Sequence, residues 1–403
     1  MPKLSNIPLP RRLDVAILRL VLLTLSTSGL LIPAPAWSAG TGKLLTIKVT
    51  VNDRSGAFLV DTGADWSFID SGFARELGLR GHGTADVRRN YTSESWSVVS
   101  AGQLELWGRQ FRNVPLIEAD LNAMSRAMGE TIRGVLGTDL LRSFHVRLMY
   151  SSSSIAEAPG LQDAGGLIRL KKTDGGYFIP VRIGTHEFDL LVDTGANSTV
   201  VADWVWSSLP ESRAQAAVIR GVLAADNPHE TAYGCASAIE LGGLMLQNQP
   251  LRVTSRTSQG NFSHQAFAGI LGADVLQRFV VTFDLEDSAI YLKPDANYRP
   301  DPYAFSSIGI QFARTPEGAF SVASTWSPSP AAESGIQTGD LIVLVNGRDT
   351  RELSLEGFAE QLHKPAGTKV TLGVQRAHET VMVHTTVRHL ICGSRPLGEV
   401  EVK

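Results

Sequence analysis

The chain repeats one pair of short blocks, and this duplication constrains its fold more than any other feature of the sequence. Residues 61–64, Asp-Thr-Gly-Ala, follow an apolar run and recur as residues 193–196. A second block, Gly-Val-Leu-Gly-Thr-Asp-Leu-Leu at residues 134–141, recurs as Gly-Ile-Leu-Gly-Ala-Asp-Val-Leu at residues 269–276. Two blocks that repeat in the same order, with offsets that differ by only three residues, indicate a duplicated lobe.

Each copy has the pattern of a β lobe. Apolar and polar residues alternate over residues 44–51, a polar turn follows, and a second apolar run leads into Asp61. The second copy repeats this pattern over residues 177–192. The sequence therefore predicts a mainly β chain. The predicted boundaries are lobe 1 at residues 40–150, a linker rich in Ser, Ala and Gly at 151–166, and lobe 2 at 167–298.

The aspartate that opens each repeated turn follows apolar residues, so we expect it to be partly buried. A buried carboxylate is costly unless it is hydrogen-bonded. A threonine hydroxyl can support it, and a glycine permits a tight turn whose backbone N–H groups face the carboxylate. Two such turns related by a pseudo-twofold axis would bring Asp61 and Asp193 face to face. The residues expected to support the two turns are Thr62, Gly63, Thr194 and Gly195.

Two carboxyl groups held about 3 Å apart cannot both ionise readily, so the pair shares a proton. One member can then act as a general base on a water molecule and the other as a general acid toward a carbonyl oxygen. This chemistry hydrolyses an amide without a metal or a covalent intermediate. We therefore expect no metal and no cofactor. The sequence also lacks the His-Glu-x-x-His spacing of a zinc protease and the Gly-x-Ser-x-Gly elbow of a serine hydrolase.

These residues resemble the aspartic proteases, and more closely their retropepsin-like branch. The family pattern is an apolar run, Asp-Thr-Gly-Ala, and later an apolar pair before a glycine, which residues 135–137 and 270–272 match. The resemblance covers about residues 43–295 and implies two duplicated retropepsin-like β-barrel lobes in a bilobal acid-protease fold. It also implies that Asp61 and Asp193 are catalytic. The duplication would supply within one chain what retropepsins assemble as homodimers.

Two departures from the wider family bear on activity. Pepsin-like enzymes usually carry a hydroxyl residue after Asp-Thr-Gly, whereas Ala64 and Ala196 stand there in this chain. With one donor fewer for the ionised carboxylate, we expect activity at weakly acidic rather than strongly acid pH. The family also has a hairpin flap over the cleft, for which residues 91–96, with Tyr91 and Trp96, are the candidate.

The C-terminal residues, 303–391, resemble a PDZ domain of the bacterial protease-associated kind, an α+β domain. The resemblance is carried by residues 329–340 and by Val-Asn-Gly at 345–347. It implies that an extended peptide adds as a strand to an open sheet edge while backbone N–H groups hold its terminal carboxylate. The candidate peptide-binding residues, at the carboxylate-loop position, are Ile308, Gly309 and Ile310. The alternative is a docking surface for the neighbouring lobes that binds no ligand.

The first 39 residues have the pattern of a secretory signal. Four basic residues precede a charge-free, mostly apolar stretch at 20–32, and small residues follow at 34–36 and 38–40. The apolar stretch is short for a membrane-spanning helix, although residues 15–32 could serve as an uncleaved anchor. We therefore expect an exported chain, periplasmic or secreted, that contacts the membrane only if this segment is retained.

The charge composition of the chain limits the classes of molecule that it is expected to bind. The formal net charge is −3 and no long basic run occurs, so no nucleic-acid surface is expected. The expected partners are protein or peptide substrates and a C-terminal peptide on the PDZ domain. Cys235 and Cys392 could pair in an oxidising compartment, but the sequence leaves this open. Trp204 and Trp206 follow the second turn and are predicted to lie in the core.

Three functions fit these observations. The favoured one is an exported aspartic endopeptidase with a PDZ domain for substrate capture or regulation. The second is a catalytically silent peptide-binding adaptor that retains the protease fold, and the third is a processing protease that acts on one partner only. Retention of both Asp61 and Asp193 argues against the adaptor, because the acid–base division of labour needs two carboxyl groups.

Overall fold

Strands dominate the regular structure, and the mainly β prediction is confirmed: two closed six-stranded barrels are followed by a smaller α+β unit. The computed structural model describes residues 5–6, 18–19, 42–88, 93–213, 218–223, 229–257, 259–301, 303–315, 317–376, 379–393 and 400–402. In these ranges no helix is both long enough and apolar enough to span a bilayer.

Lobe 1 is one strongly curved sheet in the order β1-β8-β5-β9-β4-β3-β7-β6-β2. Its elements are β1 (Ser5–Asn6), β2 (Leu18–Arg19), β3 (Thr46–Val51), β4 (Arg54–Val60), β5 (Phe68–Asp70), α1 (Ser71–Glu76), β6 (Gly81–Arg88), β7 (Ser93–Leu106), β8 (Arg109–Ala119), α2 (Asn122–Met128), β9 (Ile132–Leu136) and α3 (Thr138–Leu141). The predicted polar turn joins β3 to β4, with Asn52 and Asp53 at φ angles of 44° and 66°. Both residue types tolerate this left-handed conformation better than most.

Lobe 2 repeats this architecture in the order β13-β14-β15-β20-β16-β19-β18-β17. The elements from the lobe boundary onward are β10 (His145–Met149), β11 (Ser154–Glu157), β12 (Gly166–Arg169), β13 (Lys171–Thr173), β14 (Gly176–Ile183), β15 (His186–Val192), β16 (Val200–Ala202), α4 (Asp203–Ser208), a 3₁₀ turn (Pro210–Arg213), β17 (Val218–Leu223), β18 (His229–Leu241), β19 (Leu244–Thr254), a 3₁₀ turn (Asn261–Ser263), β20 (Gly269–Leu271), α5 (Ala273–Leu276), β21 (Phe279–Asp284) and β22 (Ala289–Pro294).

A third sheet joins the lobes, in the order β11-β10-β21-β22-β12. Leu148 of β10, from lobe 1, lies opposite Val281 of β21, from lobe 2, and both are fully buried. The segment predicted as a linker supplies β11 and the start of β12 to this sheet. The main hydrophobic cluster accordingly contains side chains from both lobes. Burying this shared core holds the two repeated turns in a fixed relation.

The C-terminal unit has its own sheet, in the order β24-β25-β26-β28-β29, and its own core. Its elements are β23 (Ser306–Ser307), β24 (Ile310–Arg314), β25 (Phe320–Thr325), α6 (Pro330–Glu333), β26 (Leu341–Val345), β27 (Arg348–Asp349), a 3₁₀ turn (Thr350–Glu352), α7 (Leu355–Leu362), β28 (Lys369–Arg376), β29 (Glu379–Thr386), β30 (Arg388–His389) and β31 (Val400–Val402). Ser354 caps α7 by accepting the N–H of Gly357. Phe358 of α7 packs on Phe312 of β24, with 4.6 Å between ring centroids.

The C-terminal unit is attached to lobe 2 covalently. Cys235, in β18 of lobe 2, forms a disulfide with Cys392, which follows β30. The sequence left this pairing open, and the structure joins the two residues. The last strand, β31, also returns to lobe 2 and pairs antiparallel with β19 at Leu244 to Leu246.

Candidate active site

The two repeated turns occupy matching positions at the ends of β4 and β15. Each of these strands pairs in parallel with the strand of the second repeated block, β9 in lobe 1 and β20 in lobe 2. The N–H of Asp61 donates to the carbonyl of Leu136, and the N–H of Asp193 donates to the carbonyl of Leu271, both at 3.0 Å. The second block therefore braces the first in the same way in each lobe.

The two aspartates face each other across the lobe boundary. The N–H of Gly63 donates to Asp61 Oδ1 and that of Gly195 donates to Asp193 Oδ1, each at 2.8 Å. A Cβ atom on Gly63 would lie 2.6 Å from Cγ of Asp193, and one on Gly195 would lie 2.5 Å from Cγ of Asp61. Only glycine permits this approach, so each turn both binds its own carboxyl group and packs against the other.

The two threonines join the lobes rather than bonding to the carboxylates. Thr62 Oγ1 donates to the carbonyl of Val192 at 2.8 Å, and Thr194 Oγ1 donates to the carbonyl of Val60 at 2.7 Å. Each hydroxyl also accepts the backbone N–H of the other threonine, at 3.0 and 3.2 Å. We expected the hydroxyls on the carboxylates. They are used across the boundary because each turn presents buried backbone groups to the opposite lobe, and these groups need partners.

Burial sets the protonation of the pair. Both aspartates have an exposed fraction of 0%. Burial raises the pKa of Asp61 to about 7, although hydrogen bonds from Asp193 and from the N–H groups of Gly63, Ala64 and Gly195 oppose the shift. Burial, the charge of Asp61 and the hydrogen bond to Asp61 all raise the pKa of Asp193 well above its usual range. Because two buried carboxyl groups this close cannot both ionise readily, the pair binds one proton in common over an intermediate pH range.

A second carboxyl group in each lobe supports the repeated turns, and this role was not predicted from the sequence. In lobe 1, Ser67 Oγ donates to Asp139 at 2.7 Å and accepts the N–H of Gly137 at 3.0 Å. In lobe 2, Thr199 Oγ1 donates to Asp274 at 2.7 Å and accepts the N–H of Gly272 at 3.1 Å. Burial raises the pKa of Asp139 and of Asp274 to about 6. The signal was present in the repeat itself, since Asp139 recurs as Asp274 with the offset of the second block and a hydroxyl residue recurs, as Ser67 and Thr199, with the offset of the first.

The predicted flap coincides with the β6–β7 hairpin of lobe 1. Tyr91 lies outside the described residues, whereas Trp96 lies on β7, half-buried, with its ring 5.7 Å from that of Phe68. The N–H of Ser93 donates to Oε1 of Gln259 in lobe 2, at 3.4 Å. The hairpin therefore reaches from one lobe to the other.

The two tryptophans after the second turn differ. Trp206 is buried beneath Gly234, as predicted. Trp204 was predicted to lie in the core and does not, because 42% of its surface is exposed. It is the second residue of a short surface helix, α4, and its ring packs edge-on against Phe188.

Of the residues predicted to bind peptide in the C-terminal unit, Ile308 and Gly309 lie between β23 and β24, and Ile310 is the first residue of β24. Ile308 and Ile310 are buried, and Gly309 has a φ angle of 89°. A Cβ atom at Gly309 would lie 2.4 Å from the Cβ of Ser329, so no other residue fits. The loop leads into β24, which lies at the edge of its sheet, and no other described strand pairs with its outer side. Their role in binding stays a prediction.

Comparison with known proteins agrees with this geometry. The sequence matches the aspartyl protease family twice, over residues 47–140 and 179–275, and a PDZ domain family over residues 326–376. It is also similar to a carboxyl-terminal-processing protease of Synechocystis sp., with 35% identity over 94 residues. That similarity spans 23% of this chain and 22% of the Synechocystis protein.

Proposed function

The chain belongs to the retropepsin-like aspartyl proteases and ends in a PDZ domain, and from this premise we propose that it is an exported aspartic endopeptidase. One observation carries the proposal: Asp61 and Asp193 lie face to face, fully buried, each against the glycine of the other turn. This arrangement supports a general acid and a general base acting together on one substrate bond.

The reaction follows from the shared proton. Ionised Asp61 takes a proton from a water molecule, whose oxygen forms a bond to the carbonyl carbon of the substrate. Asp193 gives its proton to the carbonyl oxygen, which yields a neutral tetrahedral diol. As the C–N bond breaks, Asp61 passes its proton to the leaving nitrogen and a diol hydroxyl returns a proton to Asp193. The pair ends in its starting state, with an acid and an amine released.

The substrate is proposed to be an extended polypeptide. A cavity of about 300 Å³ lies where the lobe 1 turn meets lobe 2, and Asp65, Asp139, Lys172 and Tyr177 are among its lining residues. Because charged side chains line this cavity, it would suit a polar side chain of the substrate. The PDZ domain would bind the C-terminus of a protein.

Export is proposed on two grounds. The first 39 residues have the pattern of a secretory signal, and the Cys235–Cys392 disulfide suits an oxidising compartment. N-terminal sequencing of the protein recovered from cells tests this. A start between residues 35 and 40 supports cleavage, whereas a start at Met1 in the membrane fraction supports the anchor.

The direct test is cleavage of an unstructured protein by the purified full chain across pH 4 to 8. Asp61→Asn and Asp193→Asn should each lower kcat/KM at least about 100-fold, because each removes one member of the acid–base pair. Asp287→Asn, at an exposed site, is the matched control and should leave the rate unchanged. No cleavage at any pH, with or without C-terminal peptides, would favour the silent adaptor. Cleavage of one partner protein alone would favour the processing protease.

A further inference from the structure

We propose that the peptide groove of the PDZ domain, formed by the loop at residues 308–310 and the edge strand β24, is an effector site. A protein C-terminus bound there changes the rate of hydrolysis at the Asp61–Asp193 pair. The effect passes through a fixed joint with lobe 2, which consists of the Cys235–Cys392 disulfide and the aromatic cluster beside it. This inference rests on the proposed function and names its regulation. The alternative is a PDZ domain that swings on its linkers to deliver substrate.

The joint is covalent at one point. Cys235 is in the middle of β18, paired with Pro250 of β19, and Cys392 comes three residues after His389 of β30. Sγ of Cys392 also lies 3.5 Å from the carbonyl of Asn248 in β19. The end of the PDZ domain is therefore held against two strands of lobe 2.

An aromatic cluster surrounds the disulfide. The ring of Tyr233, also in β18, lies 5.7 Å from that of Phe305 and 5.5 Å from that of Trp326, both from the C-terminal unit. Trp326 has an exposed fraction of 0% and Tyr233 of 6%. Leu390 and Ile391 complete the cluster. Contacts of this kind bury apolar area that water would cover if the domain moved away.

Both ends of the PDZ domain are attached to lobe 2. Near its start, the ring of Phe305 packs against that of Tyr233 in lobe 2, with 5.7 Å between centroids. After it, β31 pairs with β19 at Leu244 to Leu246, and Val400 packs on the main core. A domain held at its start, its end and its face cannot swing as a delivery arm without breaking these contacts.

The carboxylate-loop position lies next to this joint. The carbonyl of Gly309 accepts the N–H of Trp326 at 2.9 Å, and the ring of Trp326 packs at a tilt of 56° against that of Tyr233. A peptide that orders this loop and adds to the edge strand β24 therefore changes the surroundings of Trp326, and through Trp326 those of Tyr233. The effector chemistry is an extended backbone with a terminal carboxylate.

The joint leads toward Asp193. Tyr233 lies opposite Arg252 in the β18–β19 ladder, and the N–H of Arg252 donates to the carbonyl of Thr199 at 3.0 Å. The hydroxyl of Thr199 accepts the N–H of Gly272, in the block that braces the Asp193 turn. These contacts form a continuous path from the PDZ domain to the Asp193 turn. Such a path can couple peptide binding to the catalytic pair, and the coupling itself is tested with variants.

The first measurement uses an inactive full chain, Asp61→Asn, so that no peptide is consumed. Ten-residue fluorescent peptides with randomised last four residues and a free carboxylate are screened, and the tightest binder is compared with its C-terminal amide. Hydrogen exchange over residues 229–241 is then measured with and without that peptide. We expect at least threefold slower exchange with the carboxylate peptide and no change with the amide. If no peptide binds, or if binding leaves residues 229–241 unchanged, the proposal is overturned.

The second measurement separates the joint from the groove. In the active chain, a saturating peptide should change kcat/KM for a reporter substrate at least fivefold. Cys235→Ser/Cys392→Ser and Tyr233→Ala should keep peptide affinity within twofold but reduce that change below 1.5-fold. Tyr233→Phe keeps the ring and should behave as wild type. Coupling that survives in Cys235→Ser/Cys392→Ser and in Tyr233→Ala overturns the proposal. If the chain cleaves nothing while the exchange response is present and needs the joint, the proposed function fails and the coupling stands.

Discussion

In lobe 1 the β6–β7 hairpin reaches across to lobe 2, whereas in lobe 2 the matching β17–β18 hairpin holds the PDZ domain. The two lobes are otherwise closely alike at the site: the same N–H groups bind the carboxyls and the same threonine hydroxyls cross the boundary. The comparison shows which parts of a duplicated lobe the chemistry holds constant. The two Asp-Thr-Gly turns must stay alike, because each turn supplies contacts that the other needs. The hairpin in each lobe is not under this constraint, and the two hairpins contact different partners.

The largest effects are expected where the lobes are most alike. Gly63→Ala and Gly195→Ala each place a Cβ within 2.6 Å of the opposite carboxyl. One carboxyl must move away, which breaks the shared proton, so we expect kcat/KM to fall at least about 100-fold in both. Steady-state kinetics on a peptide reporter measures this.

Gly160→Ala is the control for that pair, because no atom lies within 4 Å of a Cβ there. It should keep the wild-type rate. A strong effect of one glycine variant and none of the other would contradict the equivalence of the two turns.

The threonine contacts test the same equivalence through stability. Thr62→Val and Thr194→Val keep the side-chain shape but leave a buried carbonyl and a buried N–H of the opposite lobe without their partner. Each should lower the free energy of unfolding by about 1–3 kcal/mol. Thermal and denaturant unfolding measure it, and Thr→Ser at either position, which retains the hydroxyl, should recover most of the loss. If only one of the two valine variants is destabilised, the hydrogen bonds that cross the lobe boundary are not equivalent.

Much of the site could be predicted because the repeat carries it. Asp61 and Asp193 are found from their shared motif, and a carboxyl after a buried strand needs the N–H groups that Gly63 and Gly195 supply. These features depend on local chemistry that a few neighbouring residues determine.

The remainder depends on how separate units meet. Pairing of Cys235 with Cys392 follows from docking of the PDZ domain on β18, which no local pattern reports. From the sequence we expected the threonine hydroxyls to bond to the carboxylates. The sequence of one turn does not show which backbone groups of the opposite lobe lie next to it. Trp204 was placed in the core on its residue type, whereas its position at the start of a two-turn surface helix exposes it.

A comparison of Asp139 in lobe 1 with Asp274 in lobe 2 can be made through the pH dependence of stability. Burial raises the pKa of Asp139 and Asp274 to about 6 and that of Asp61 to about 7, above the usual range of an unfolded aspartate. Between pH 4 and 7 the folded chain thus binds more protons than the unfolded chain, so stability falls as pH rises through this window. Each such carboxyl contributes up to about 1.4 kcal/mol per pH unit.

We therefore expect a higher Tm at pH 5 than at pH 7.5, measured by calorimetry. Asp139→Asn and Asp274→Asn keep an acceptor for Ser67 and Thr199 and should each flatten the slope. Asp274, with an exposed fraction of 6%, should flatten it at least as much as half-buried Asp139. A Tm that rises steadily from pH 5 to 7.5 would reverse the sign and contradict the raised pKa values.

The smallest effect is expected where the hairpins differ. Gln259→Ala removes the acceptor for the N–H of Ser93, the hydrogen bond that carries the lobe 1 hairpin to lobe 2. A single exposed bond of 3.4 Å is worth about 0.5 kcal/mol, so kcat/KM should change less than about threefold. Hydrogen exchange should quicken over residues 93–100 and stay constant over residues 229–241, which the disulfide holds, while Gln337→Ala, exposed in the PDZ domain, should alter neither segment. Equal quickening of both hairpins would mean that they are coupled, and the division of labour between the lobes would have to be abandoned.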